Sequence, residues 1–235
     1  MSITVKYNQK HNQTMIYLPV TFTLFLLFLL LFPFIWFAIA LDVVELAVAK
    51  LGFSPNVAFL LFISVLVGST INIPLYERVT TVPVISDFAN LWTARFWGIP
   101  LRRIEQKTIV ALNVGGGLIP SLLAIYEFTR ADPLLIMLVT AIVTTVSYFS
   151  AQIVPGIGIQ MNALVAPLTA SLAATALSPA PQPIAFAGGV LGTLIGADLL
   201  HLREIEKMTA GVLSIGGAGV FDGIALCGLF ALLLT

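Results

Sequence analysis

Charged side chains are scarce in this sequence. Asp, Glu, Lys and Arg together make up 9% of its 235 residues, against about 25% in a soluble domain. Such a chain cannot cover its surface with groups that water solvates. The 11 basic and 11 acidic residues cancel, so there is no polybasic signal and nucleic acid is not an expected partner. The single cysteine, Cys227, has no intramolecular disulfide partner, and with only two histidines no zinc-type spacing occurs. A phosphate loop, a nucleophilic Ser/His/Asp set and a dinucleotide fingerprint are also missing. No metal or cofactor is expected.

Apolar residues fill the space, at 59% of the chain. Runs long enough for a hydrocarbon layer of about 30 Å fall near 16–41, 56–73, 108–126, 134–151, 160–178, 183–200 and 211–234. The fold class read from them is an all-α polytopic membrane protein with about seven transmembrane helices, behind a cytoplasmic tail at 1–15. Residues 16–235 form one integral membrane domain. The first run is too long for the core of a signal peptide, although Ala38-Ile-Ala40 has the look of a cleavage site, so it reads as a retained span. Ser69, Thr70, Asn72 and Pro74 interrupt the second run. Breaks or re-entrant segments are expected near 155–162, at Pro155-Gly-Ile-Gly158, and near 211–219.

Cation placement orients the chain. With the N-terminus inside, Lys6, Lys10, Arg78, Arg95, Arg102, Arg103, Lys107, Arg203 and Lys207 lie on the inner side, and only Lys50 and Arg130 lie outside. The C-terminus is then external. The connection at about 75–107, with Trp92, Arg95 and Trp97 among apolar residues, suits an interfacial cytoplasmic segment in contact with lipid headgroups. Gly188, Gly192 and Gly196 in the sixth span, and Gly219 and Gly223 in the seventh, are small-residue ladders that let helix backbones approach closely.

Carboxylates at membrane depth cost roughly 2.5–3.5 kcal/mol and are rarely idle. Asp198 closes the sixth span and Asp222 opens the seventh, so both fall near the inner face on successive antiparallel helices. If these helices meet through their glycines, the two carboxylates share a proton and can do acid/base work on water, or bind a cation. The alternative is structural: Asp198 reaches interfacial water or pairs with Arg203, and Asp222 sits on first-turn N–H groups. Asn113, at the head of a glycine-rich run, and Gln152, Gln160 and Asn162, flanking the Pro155 break, are candidate lining groups for a substrate or ion pathway. Asn113 also suits an interhelical hydrogen bond. His201 reads as an interfacial loop residue.

Five separated motifs, Gly68-Ser-Thr-Ile-Asn-Ile-Pro-Leu75, Asn113-Val-Gly-Gly-Gly-Leu-Ile-Pro120, Pro155-Gly-Ile-Gly158, Gly192-Thr-Leu-Ile-Gly-Ala-Asp-Leu-Leu200 and Ser214-Ile-Gly-Gly-Ala-Gly-Val-Phe-Asp-Gly223, occur in one order. Over roughly 57–235 the chain resembles the bacterial and archaeal membrane-protein family known as domain of unknown function sixteen-fourteen. That resemblance implies a prokaryotic cytoplasmic membrane. Where the family pattern has an arginine before the Pro-x-x-Gly break, this chain has Gln152. In outline it is also similar to presenilin-like intramembrane aspartyl proteases, which carry one aspartate on each of two successive spans. Here Gly219-Val-Phe-Asp222 stands for their Gly-x-Gly-Asp and Ala197-Asp198 for their Tyr-Asp, while Ala166-Pro167-Leu168 precedes the aspartates instead of following them. The leading functional expectation is hydrolysis of a membrane-embedded peptide with Asp198 and Asp222 as the catalytic pair. The alternatives are a proton or small-cation transporter or channel, and a non-catalytic membrane assembly factor.

Overall fold

The computed structural model describes residues 20–83, 103–154, 158–204, 211–217 and 223–235. The chain divides into two units, residues 1–40 and 41–235. Within the first, helix α1 (Val20–Lys50) begins. It carries no charged residue before Asp42 and is apolar on every side, as expected of a helix solvated by lipid.

In the second unit, α2 (Pro55–Gly68) starts on Pro55, whose missing N–H costs nothing in a first turn. It stops where the sequence turns polar. The Ser69 and Thr70 hydroxyls donate back to the Leu66 and Val67 carbonyls, both at 2.7 Å, satisfying the helix end. The chain then enters β1 (Asn72–Pro83), which pairs antiparallel with β2 (Arg103–Asn113), from Asn72 opposite Asn113 to Pro83 opposite Arg103. A bulge between Pro74 and Tyr76 accommodates the proline. Strand β5 (Gly211–Ile215) lies parallel to the other edge of β2, giving the order β1-β2-β5.

Two expectations are corrected by this sheet. The chain is mostly helical but not all-α, and residues 72–83 and 103–113 of the polar connection are strands. Trp92, Arg95 and Trp97 lie outside the described residues. Likewise, 108–126 is not one helix. Its first part is the buried central strand, and α3 (Val114–Glu127) starts only after Asn113, with a π turn over Val114–Leu118. An apolar run such as Ile109-Val-Ala-Leu112 is equally compatible with a buried strand and a buried helix, and pairing on both edges decides it.

Next come α4 (Pro133–Ser150), capped by Asp132 onto the Leu134 N–H, and a hairpin of β3 (Gln152–Val154) and β4 (Gly158–Gln160). Helix α5 (Val165–Leu177) is followed by α6 (Gln182–Thr193), which continues through a second π turn over Leu194–Leu199. Helix α7 (Gly223–Leu234) follows β5. The breaks expected near 155–162 and 211–219 thus contain strands. Among the described residues there are seven helices.

Three helical stretches, Thr21–Lys50, Pro133–Ser150 and Gln182–Glu204, are long and apolar enough to cross a membrane. The others run about 18–21 Å at 1.5 Å per residue, short of a full hydrocarbon layer.

Helix α6 is the hub. A Cβ on Gly188, Gly192 or Gly196 would fall 2.5 Å from Val139 Cγ1, 2.6 Å from Val143 Cβ and 2.4 Å from the Thr144 carbonyl respectively. The ladder therefore seats α6 on α4, and not on α7 as the sequence suggested. Helix α7 meets α6 through other glycines: Gly189 opposes Cys227 and Ala231, and Gly228 opposes Phe186 and Val190.

The connections also sort themselves. At one end lie β1, β2 and β5. At the other, Lys50 Nζ donates to the Leu232 and Leu233 carbonyls at the end of α7 (2.8 and 3.3 Å), and Arg130 Nη1 donates to the Leu51 carbonyl. Gln182 Nε2 reaches the Thr235 carbonyl at 3.4 Å.

Candidate functional site: a glycine-lined junction around Asp198

Four of the five motifs converge where the sheet feeds the helices. Asn113 is the organiser. Its Oδ1 accepts the Gly116 N–H (2.8 Å), and its Nδ2 donates to the Ser69 carbonyl (2.8 Å) and to Asn72 Oδ1 (3.2 Å). The Ser214 hydroxyl donates to the same Asn72 oxygen. One buried amide thus joins the end of α2, the starts of β1 and α3, and, through Asn72, the end of β5. With its hydrogens and its oxygen all engaged, it stitches backbone segments together.

Glycine permits the approach. A Cβ on Gly115 would stand 2.1 Å from the Val65 carbonyl oxygen. Gly216 has φ +72, and a Cβ there would meet Gly117 Cα at 2.6 Å. Only glycine satisfies both the left-handed backbone and the crossing.

Asp198 completes the junction. It lies in the π turn of α6, half-buried, and its Oδ2 accepts the Gly216 N–H at 3.2 Å. Single π turns inside α-helices frequently mark functional positions, because they redirect a side chain and loosen backbone carbonyls. His201 secures the same turn. It is buried rather than interfacial, stacked on Tyr148 at 4.7 Å between ring centres, with Nδ1 at 3.1 Å from both the Gly196 and Ala197 carbonyls. Two acceptors at Nδ1 require the proton on that nitrogen.

Asp222, the other half of the expected pair, lies outside the described residues, between Gly217 and Gly223. Gln152 and Gln160 face each other across the β3–β4 hairpin, and both are exposed. Asn162 is exposed as well, and its Oδ1 accepts the Leu164 N–H at 3.0 Å. The hairpin groups and the Asp198 junction belong to different motifs and share no hydrogen bond among those described above.

A second carboxyl, which no sequence motif flagged, lies at the far end of α3, about 20 Å of helix from Asn113. Glu127 is fully buried, and neither carboxyl oxygen has a hydrogen-bond partner. The Arg130 guanidinium stands close to it, with Nη1 3.7 Å from Oε1. Glu127 directly follows the apolar run 108–126, where a carboxylate reads as an ordinary span boundary.

The fold and the junction define a helical protein with membrane-compatible apolar helices, organised around a small polar sheet. Residues 66–234 match the family described as protein of unknown function (DUF1614). The chain belongs to that family. No curated protein and no solved structure matches it.

Proposed function

We propose that this is a seven-span cytoplasmic-membrane protein whose Asp198 and Asp222 perform aspartyl-type hydrolysis of a membrane-embedded peptide. One carboxylate is the base for water and the other the acid for the leaving amine. The observation that carries the reading is the Asp198–Gly216 hydrogen bond. It ties the first aspartate to the strand that leads into the segment bearing the second. Five residues lie between Gly216 and Asp222, so the steps of about 3.5 Å from one to the other set an upper bound of about 21 Å on that reach.

The orientation has its own support. Strands β1, β2 and β5 lie in or border connections that the cation bias assigns to the inner side, which supports a carboxylate pair that faces the cytoplasm. Lys50, Arg130 and Gln182 come from connections assigned to the outer side, and their partners come from the same side. A topology with mixed assignments would not group them in this way.

Proton or small-cation translocation is a second reading, favoured by the buried Glu127, since a proton route needs titratable groups at both ends. One set of variants separates the two. Asp198→Asn and Asp222→Asn should each reduce cleavage of membrane-embedded peptides by at least about a hundredfold. Persistent cleavage by both removes the hydrolase reading. Carboxylate-dependent flux in sealed liposomes, without cleavage, establishes the second.

A further inference from the structure

Glu127, invoked above only as a titratable group of the translocation reading, lies within a built arrangement with Arg130 that neither functional reading uses. Arg130 Nη1 stands 3.7 Å from Glu127 Oε1, too long for a hydrogen bond. The same nitrogen donates to the Leu51 carbonyl in the α1–α2 loop. The guanidinium lies over the Phe53 ring at 5.2 Å and the Tyr126 ring at 5.9 Å, and those rings are themselves 5.9 Å apart. Gly52 (φ +77) makes room, since a Cβ there would meet Arg130 Nη2 at 2.9 Å. The cation is therefore held in an aromatic slot between two acceptors, a neutral carbonyl now engaged and a carboxyl just out of reach.

Of the other charged groups near this end, Asp42 and Glu45 lie about one to two turns back along α1 from Lys50. Lys50 caps α7 and Asp132 caps α4. Among the described residues, Arg130 is the ion-pair partner of Glu127. Leu51 also lines an apolar cavity of about 110 Å³, together with Val48, Phe62, Leu123, Leu229 and neighbouring apolar residues. Leu51 is thus both the acceptor of the clip and part of the cavity wall.

We propose that Glu127 is a proton-binding site that sets the Arg130 clip on the α1–α2 loop, and with it the position of Leu51 in the cavity wall. With the carboxyl neutral, Arg130 holds the Leu51 carbonyl and the loop is closed. When Glu127 releases its proton to water, the new carboxylate draws the guanidinium across the remaining gap, because a charge-assisted bond is about twice as strong as one between neutral groups. Leu51 loses its clip and the loop opens. An unpaired buried carboxylate is costly, so the two events are coupled. Two acceptors competing for one cation make a two-state element that a single proton biases.

The test uses the full chain in lipid nanodiscs and the loop amides of Leu51, Gly52 and Phe53, which are hydrogen-bonded to Val48 and Ala49 carbonyls in the closed form. Their hydrogen exchange, corrected for its intrinsic pH dependence, is followed from about pH 5 to about pH 9. In the wild type, exchange should rise at least about tenfold as Glu127 ionises. Glu127→Gln, which cannot ionise, should stay protected throughout, and Arg130→Gln should exchange fast at every pH. An infrared carbonyl band of a neutral carboxylic acid near neutral pH, absent in Glu127→Gln, identifies the bound proton. Wild-type exchange that does not respond to pH, an equal response in Glu127→Gln, or a missing acid band overturns the proposal.

Discussion

A buried amide with every hydrogen-bonding atom engaged contributes most through what its removal leaves behind. Asn113→Ala strands the Gly116 N–H and the Ser69 carbonyl, and leaves the Asn72 oxygen with only the Ser214 hydroxyl. Each buried group left unpaired costs about 1–3 kcal/mol. The variant should lose about 2–4 kcal/mol in reversible unfolding from mixed micelles, while Asn113→Asp, which keeps the acceptor for Gly116, should lose less. Equal losses would place the energy in the Nδ2 contacts to Ser69 and Asn72 alone. Asn113 was visible in the sequence as a polar group heading a glycine-rich run, but its partners were not. Asn72, Ser69 and Ser214 lie 41, 44 and 101 positions away in the chain, and no local pattern encodes such contacts. Glu127 shows the opposite failure. No sequence motif singles it out, and only the fold reveals that both oxygens are enclosed.

At the scale of elements, the glycine ladder of α6 decides which helix sits closest. It was legible as a small-residue stripe, and the close approach it promised is realised against α4. The choice of partner was not legible, because a stripe of glycines is complementary to any smooth face. The contact distances rank the positions. At Gly196 a new Cβ falls 2.4 Å from a backbone carbonyl, which cannot rotate away, whereas at Gly189 it falls 3.1 Å from the Ala170 methyl and 3.2 Å from Cys227 Sγ. Gly196→Ala should cost about 1–3 kcal/mol as overpacking, and Gly189→Ala distinctly less. Thermal unfolding of the two variants side by side checks this, and the reverse order would mean that α4 yields more readily than α5 and α7. Gly196 is also the residue whose carbonyl faces His201, two positions before Asp198, so the same substitution should shift the junction as well as the helix pair.

For the whole molecule, the testable statement is its orientation. Thr129 and Glu204 are exposed and fall in connections assigned to opposite sides, whereas native Cys227 is buried and should not react. Cysteine introduced at Thr129 should react with an impermeant maleimide in intact cells, and cysteine at Glu204 only after permeabilisation. Labelling in the opposite pattern inverts the topology and moves the Asp198 junction to the outer face.

Composition alone determined that the protein is mostly helical and bears membrane-compatible helices, because the solvent a chain requires is written in its residue types and needs no tertiary information. The end of α2 at Ser69 was equally local, since polar side chains that satisfy a helix end act within one turn. What only the tertiary structure decided were the non-local choices. Pairing with β1 and β5 made 103–113 a strand and shortened the third helix. A crossing of Gly117 and Gly216 brought four motifs to one junction around Asp198. The Arg130 contact to the α1–α2 loop and the burial of Glu127 at the end of α3 likewise arise only in the fold. Each of these depends on contacts between residues far apart in the chain, whose formation is a property of the assembled core and not of any segment.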